Sequence, residues 1–90
     1  MKRRARRASF DLTTRRKQAS VYRAYDVAGR LLYVGCTVDP KARLKAHSDS
    51  SAWWRYVDHI DHDAPLPFDD ARAAERAAIL AERPWFNGTT

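Results

Sequence analysis

Five residues in this chain are of types, and at spacings, that allow catalysis. Tyr22 and Tyr33 flank a turn in VYRAYDVAGRLLYVG, residues 21–35, each at the centre of a strand-like triplet. They are either ordinary aromatic strand residues or half of an active site. Arg43 and His47 stand four apart, so a helix would place both on one side. Glu75 lies in an alanine-rich helical run. An imidazole moves protons, a guanidinium clamps an anionic oxygen, and a carboxylate holds a hard cation. On a helical wheel Glu75 falls at the edge of the apolar face, and a carboxylate half turned toward a core is either paired or a ligand. Pairing with Arg72, three residues earlier, is the reading that pattern alone favours.

Other groups carry weaker signals. Asp58-His-Ile-Asp-His-Asp63 contains metal-ligand types, but on a strand His59 and His62 point to opposite faces, so it reads as a solvated edge strand. Trp53 and Trp54 could stack on bases, although one of them as a lid on a small core is the plainer reading. Lys41, Lys45 and Arg55 either line a phosphate track or are simply solvated. Cys36, after a strand, reads as core rather than nucleophile.

The elements that must position these groups follow from the pattern. Val21–Tyr25 and Leu31–Val34 are rich in strand formers, with turn chemistry in Asp26-Val-Ala-Gly29 between them. A four-residue loop pairs Tyr25 with Arg30 and puts Tyr22 directly opposite Tyr33, both rings on one face; a slip of one residue would separate them. Asp39-Pro40 starts a helix that runs through His47, a capping side chain followed by proline. Ser48 to Trp54 reads as a loop or short turn, and Tyr56 to Asp63 as a weak third strand. Asp69 or Asp70 caps a last helix that Pro84 stops. On its wheel Arg72, Arg76 and Arg83 form one stripe, with Ala74, Ala77, Ala78 and Ala81 opposite. The fold class is α/β, a small three-stranded antiparallel sheet flanked by helices.

Ninety residues allow one small domain, and 44% hydrophobic residues make it globular rather than disordered. No apolar run approaches a membrane span, and no apolar segment follows the basic N-terminus as a secretory signal would. One cysteine makes no internal disulfide, which fits a reducing cytoplasm. The net charge of +6 is not evenly spread. Residues 1–20 hold eight Lys or Arg (Lys2, Arg3, Arg4, Arg6, Arg7, Arg15, Arg16 and Lys17) against Asp11, whereas residues 21–90 hold nine against ten acids. A basic arm over residues 1–19, ahead of a domain over 20–90, reads as a counterion-releasing footprint for nucleic acid.

In order, Val21-Tyr22, Tyr33-Val34-Gly35, Arg43 with His47, Glu75, and Pro84-Trp-Phe-Asn87 resemble the GIY-YIG nuclease family. The likeness spans about residues 20–87 and is nearest to the compact single-domain members of bacteria and phages. Ser20 stands where the family often has glycine, and valines replace both isoleucines. The resemblance implies a metal-dependent endonuclease that hydrolyses DNA phosphodiester bonds. Glu75 would hold one Mg²⁺ or Mn²⁺, Arg43 a phosphate oxygen, and Tyr22 would act as base or orient the water. Tyr33 would orient that water or the phosphate, His47 would relay the proton or contact the backbone, and Asn87 would support the site by hydrogen bonding. A phenol is a poor base unless a cation lowers its pKa, which Arg43 or the metal would have to do. Glu82, seven residues beyond Glu75, lies too far along the helix to share the ion, which favours one metal. Lys41 and Lys45 join the arm as candidate DNA contacts. DNA is the implied partner, with a homodimer or a larger repair or mobile-element complex open. The rival reading is a non-catalytic DNA-binding module of the same fold.

Overall fold

In a computed structural model of the chain, residues 17–87 are described. β1 (Gln18–Tyr25) is the central strand. β2 (Leu31–Thr37) pairs with it antiparallel, and so does β3 (His59–His62) on its other side. The two-residue β4 (Leu66–Pro67) pairs with Gln18 and Ala19. α1 (Pro40–Ser50) follows β2, a 3₁₀ turn covers Trp54–Tyr56, and α2 (Phe68–Glu82) follows β4. The expected α/β architecture therefore stands, with a short fourth strand added. Among the described residues no helix is long and apolar enough to cross a membrane.

The hairpin register differs from the expected one, and two separate causes account for it. The Asp26 carboxylate accepts from Ala28 N, Arg30 N and Arg30 Nε at 2.8–2.9 Å, and Gly29 turns with φ +81°. Glycine suits that left-handed position, which closes a three-residue loop rather than a four-residue one. The pairing thus slips by one, to Tyr25 opposite Leu31. A bulge between Ala24 and Tyr25 then leaves Leu32 without a partner and slips the register by one more. Tyr22 consequently lies opposite Gly35, and Tyr33 opposite Ala24. Each slip alone would turn Tyr33 away from Tyr22. Together they restore a common face, because side chains alternate with a period of two.

One face of the sheet packs on α2. Ala19 and Cys36 meet Ala71 and Phe68, and Val21 and Val34 meet Ala78, with Ala74 and Ile79 beside them. The helix therefore turns Ala71, Ala74, Glu75 and Ala78 toward the sheet, whereas Ala77 and Ala81 are exposed. Glu75 is central to the packed stripe rather than at its edge. Neither Asp69 nor Asp70 caps α2: Pro67 occupies the cap position, and both aspartates lie in the first turn, where negative charge suits the helix dipole. At the far end Arg83 takes a left-handed conformation with φ 52°. Arg23 of β1 grips Glu82 through Nε and Nη2 at 2.9 and 2.8 Å and reaches Asp63 at 3.1 Å, fixing the end of α2 to the sheet.

The opposite face carries Ala24, Leu32 and Trp53 as its buried centre, with Tyr33, Trp54 and Ile60 against them. α1 starts as expected, with the Asp39 carboxylate accepting from Ala42 N at 3.2 Å. It runs to Ser50, through residues expected to be loop, and buries only His47. The third strand is shorter than expected because the 3₁₀ turn takes up Tyr56. β1 begins at Gln18, and Ala19 is buried, so the domain starts before the expected boundary at residue 20. After Pro84 the chain runs along the outer edge of β2, Trp85 N bonding Leu31 O and Phe86 N bonding Leu32 O at 3.2 and 2.9 Å. That covers an edge which would otherwise present unpaired backbone groups.

Candidate active site

Tyr22 is fully buried, and its ring lies across Gly35, where a Cβ would overlap the end of the phenol. The missing side chain at Gly35 is what lets the ring occupy that place. Its hydroxyl meets His47 Nε2 at 2.7 Å, and His47 Nδ1 meets Ser51 Oγ at 2.5 Å. Tyr33 completes the cluster, 6.2 Å from the Tyr22 ring and stacked on Trp53 at 4.9 Å. Trp53 is the lid that the sequence suggested, packing on Tyr33 and His47.

Arg43 and Glu75 come from helices on opposite faces of the sheet, yet they line one cleft of ≈ 280 Å³ beside Cys36 and Thr37. Both act on the tyrosines: Arg43 stabilises the ionised form of each phenol, and Glu75 disfavours it. Burial outweighs these charges. It pushes the Tyr22 phenol well above its ordinary value, with Tyr33 adding to the rise and Arg43 only partly offsetting it. Of the two cations named as able to make Tyr22 acidic, Arg43 alone does not suffice: without a metal the phenol keeps its proton. His47 moves the other way, held below its ordinary value by burial and then by Arg43, so it is neutral near pH 7 and able to take a proton.

Glu75 is half-buried, with Arg72 Nε 3.5 Å from its carboxylate, so the pairing suggested by pattern is present. Burial raises its pKa, and the nearby Arg72, Arg43 and Arg76 only partly oppose this. Among the described residues no group of three or more His, Cys, Asp or Glu comes together as a metal cage. A lone carboxylate at the wall of an open cleft fits a hard divalent ion that keeps most of its own water. Glu82 is taken up by Arg23 and is not available to share such an ion.

Asn87 clamps the backbone between Tyr33 and Gly35. Its Oδ1 accepts from Val34 N at 2.7 Å and its Nδ2 donates to Val34 O at 2.8 Å. The histidines of β3 part as expected: His59 stacks on Tyr25 at 5.0 Å, while the His62 ring is 5.9 Å from Tyr22 on the other face. Lys41 and Lys45 are exposed on α1, with Lys45 3.9 Å from Asp49. Lys17 is exposed ahead of β1, and Arg3, Arg4, Arg6, Arg7, Arg15 and Arg16 lie outside the described residues.

Ser51 escaped the sequence reading, although its position four residues after His47 repeats the Arg43–His47 spacing and was a usable signal. A neutral imidazole has one N–H, so if Nδ1 donates to Ser51 then Nε2 is free to accept from Tyr22. Ser51→Ala is expected to leave the His47 tautomer unfixed, and Ser51→Thr should fix it again. The check is the pair of His47 ¹⁵N shifts, read without substrate: they should show Nδ1 protonated in the parent chain and a mixed population in the alanine variant. Identical shifts in both would remove Ser51 from this role. Stability contributed by neutral His47 is full above the ordinary histidine pKa of 6.5 and falls as pH drops below it.

No family model matches the chain. It is similar to part of Glutamate--tRNA ligase 2 of Methylobacterium sp. (strain 4-46), at 44% identity over 45 residues. That stretch is 50% of this chain and 10% of the ligase, so the chain matches about a tenth of that protein's length.

Proposed function

We propose that this protein is a metal-dependent endonuclease of the GIY-YIG type, hydrolysing DNA phosphodiester bonds with one divalent ion. The observation that carries the reading is the meeting of Arg43 and Glu75, from opposite faces of the sheet, in one cleft within electrostatic reach of Tyr22. Mg²⁺ or Mn²⁺ bound at Glu75 would neutralise charge on the scissile phosphate. Arg43 holds a non-bridging oxygen through its fork of donors. Tyr22 is buried in the free chain, so substrate binding must uncover its Oη; the attacking water then gives a proton to it while the Tyr22 proton passes to His47 Nε2. The resulting hydroxide forms the new P–O bond, the bond to the leaving oxygen breaks, and that oxygen takes a proton from solvent. A phenol with a high pKa suits this role as a relay that never stands ionised.

Incubating the full chain with supercoiled plasmid and Mg²⁺ should give nicked or linear product, absent with chelator and with Arg43→Ala. Unchanged plasmid under both Mg²⁺ and Mn²⁺ would favour the non-catalytic DNA-binding module instead. Association as a homodimer or within a larger repair or mobile-element complex, in the reducing cytoplasm, belongs to the same proposal. RNA is the second substrate to assay, because the similar protein is by name a tRNA ligase.

The arm supplies most of the affinity in this reading. Because Ala19 is buried and Gln18 pairs with β4, the deletion that tests it ends at residue 16. It removes seven Lys or Arg and Asp11. If the arm neutralises five to seven phosphates, the logarithmic salt slope of the full chain is roughly −5 to −6, at about 0.9 per phosphate. The shortened chain should bind weakly with a nearly flat slope, while single-turnover cleavage at saturating DNA persists. An unchanged slope would move the binding to the face around Lys41, Lys45 and Arg55.

A further inference from the structure

At the hairpin end of β2, away from Arg43 and Glu75, a second cleft of ≈ 240 Å³ is lined by Asp26, Arg30, Leu32, Tyr56, Trp85 and Phe86. Two of its rings are unusually open, Tyr56 at 52% and Trp85 at 63% exposure. Large aromatics left this exposed are informative in a chain with so small a core. Each carries a guanidinium on a face, and Tyr56 is also stacked with Phe86, ring centroids 6.2 Å apart. Arg30 lies 5.2 Å over the Trp85 ring, and Arg55 lies 5.4 Å over Tyr56. Asp26 adds no open negative charge, since its carboxylate is spent on Ala28 N, Arg30 N and Arg30 Nε. The backbone hydrogen bonds from Trp85 and Phe86 to Leu31 and Leu32 fix the platform to the sheet before any ligand arrives.

We infer that this cleft is a stacking site for one unpaired base of a single nucleic-acid strand, with Arg30 and Arg55 serving the phosphates beside it. Flat rings and adjacent cations suit a base and its backbone, and every base has a face to offer once it leaves the duplex. The volume falls below the 300–1,000 Å³ range of pockets for drug-sized ligands and matches a ligand of one or two rings. Inside a duplex every base face is stacked away and only the two ends are open, so this surface distinguishes single from double strands, which the electrostatic arm does not. Leu32 and Cys36, on the walls of the two clefts, are four residues apart on β2, about 13 Å at 3.3 Å per residue. On the nuclease reading, on which this placement rests, the stacked base lies a few nucleotides from the bond that is cut.

Binding of the full chain to labelled oligothymidylate, oligouridylate and a blunt duplex, all in chelator so that nothing is cleaved, tests the site. Trp85→Ala should weaken binding of a single strand roughly 5- to 150-fold, the range for one lost stacked base, and leave duplex binding unchanged. Tyr56→Ala should act in the same direction, and Trp85→Phe should recover most of the affinity. The two single strands show whether DNA or RNA is preferred. Equal losses on single strand and duplex, or no loss in either alanine variant with the fold intact by thermal melting, would overturn the stacking site. So would a dimer in sedimentation that Trp85→Ala converts to monomer, since a second copy would then own the cleft. Plasmid cleavage is scored separately. Its absence alongside Trp85-dependent single-strand binding sinks the hydrolase and leaves the stacking site standing, and the reverse result does the opposite.

Discussion

Glu75→Gln is expected to reduce cleavage about 10²- to 10³-fold while leaving the protein at neutral pH as stable as before, or more so. The loss corresponds to a few kcal/mol of charge stabilisation at the phosphate, at about 1.4 kcal/mol per tenfold. The stability half follows from the direction of the Glu75 pKa. Burial raises it in the fold above its ordinary value of 4.5, despite Arg72, Arg43 and Arg76. The unfolded chain therefore releases this proton first as pH rises, and from that point ionised Glu75 disfavours the folded state. Below about pH 4.5 wild type and variant should unfold at similar denaturant concentrations, and near neutral pH the glutamine should match or exceed the wild type. A variant that loses cleavage and stability together would make Glu75 a structural residue and leave the ion without its proposed ligand. On the proposed reading a divalent cation should stabilise the fold, because bound at Glu75 it would offset the cost that burial imposes on the carboxylate.

Gly35→Ala carries the second large effect. The added Cβ overlaps the phenol of Tyr22, a ring with 0% exposure whose hydroxyl is bonded to His47 at 2.7 Å. The ring has no room to swing aside and would lose that bond if it did. Overpacking of this kind costs about 1–3 kcal/mol. In a domain of this size each kcal/mol lowers Tm by about 4–8 °C, and cleavage should fall with the displaced Tyr22. Truncating the obstacle identifies it. With Tyr22→Leu, which has no atoms at the phenol tip, Gly35→Ala should cost well under half as much, a coupling readable in a double-mutant cycle. Equal costs in both backgrounds would place the strain elsewhere along β2.

The two hairpin strands, the start of the first helix and the α/β class were legible because local chemistry determines them: strand formers on either side of Asp26–Gly29, and Asp39 followed by Pro40. Register was not. It depends on whether Gly29 closes a three-residue loop and whether Leu32 bulges, and neither fact is written in a run of strand formers. The tyrosines shared a face as expected, but by a different pairing. The wheel of α2 misled for another reason. Alanine is tolerated on either side of a helix, so Ala77 and Ala81 counted as core although only the contacts of Ala71, Ala74 and Ala78 bury a face. That error displaced Glu75 to an edge. That Arg43 alone leaves Tyr22 protonated was not legible, because the nearby charge is visible in a sequence whereas the depth of burial that outweighs it is not. Ser51 and the run of Trp85–Asn87 along β2 are products of tertiary placement, although the spacing to His47 hinted at the first.

The loop closed by Gly29 and the unpaired Leu32 have a consequence for how this hairpin can change length. Its tolerance is governed by parity. Removing Leu32 alone, or adding one residue to the turn, reverses the side of the sheet on which Tyr33 and Gly35 lie relative to Tyr22. The wall carrying the candidate site and its α2-facing back would exchange places along β2. A compensating change of one residue at the other location returns each side chain to its own side. Drift in this hairpin should therefore proceed by paired insertions and deletions: a lineage that loses the bulge must at the same time alter the turn beside it.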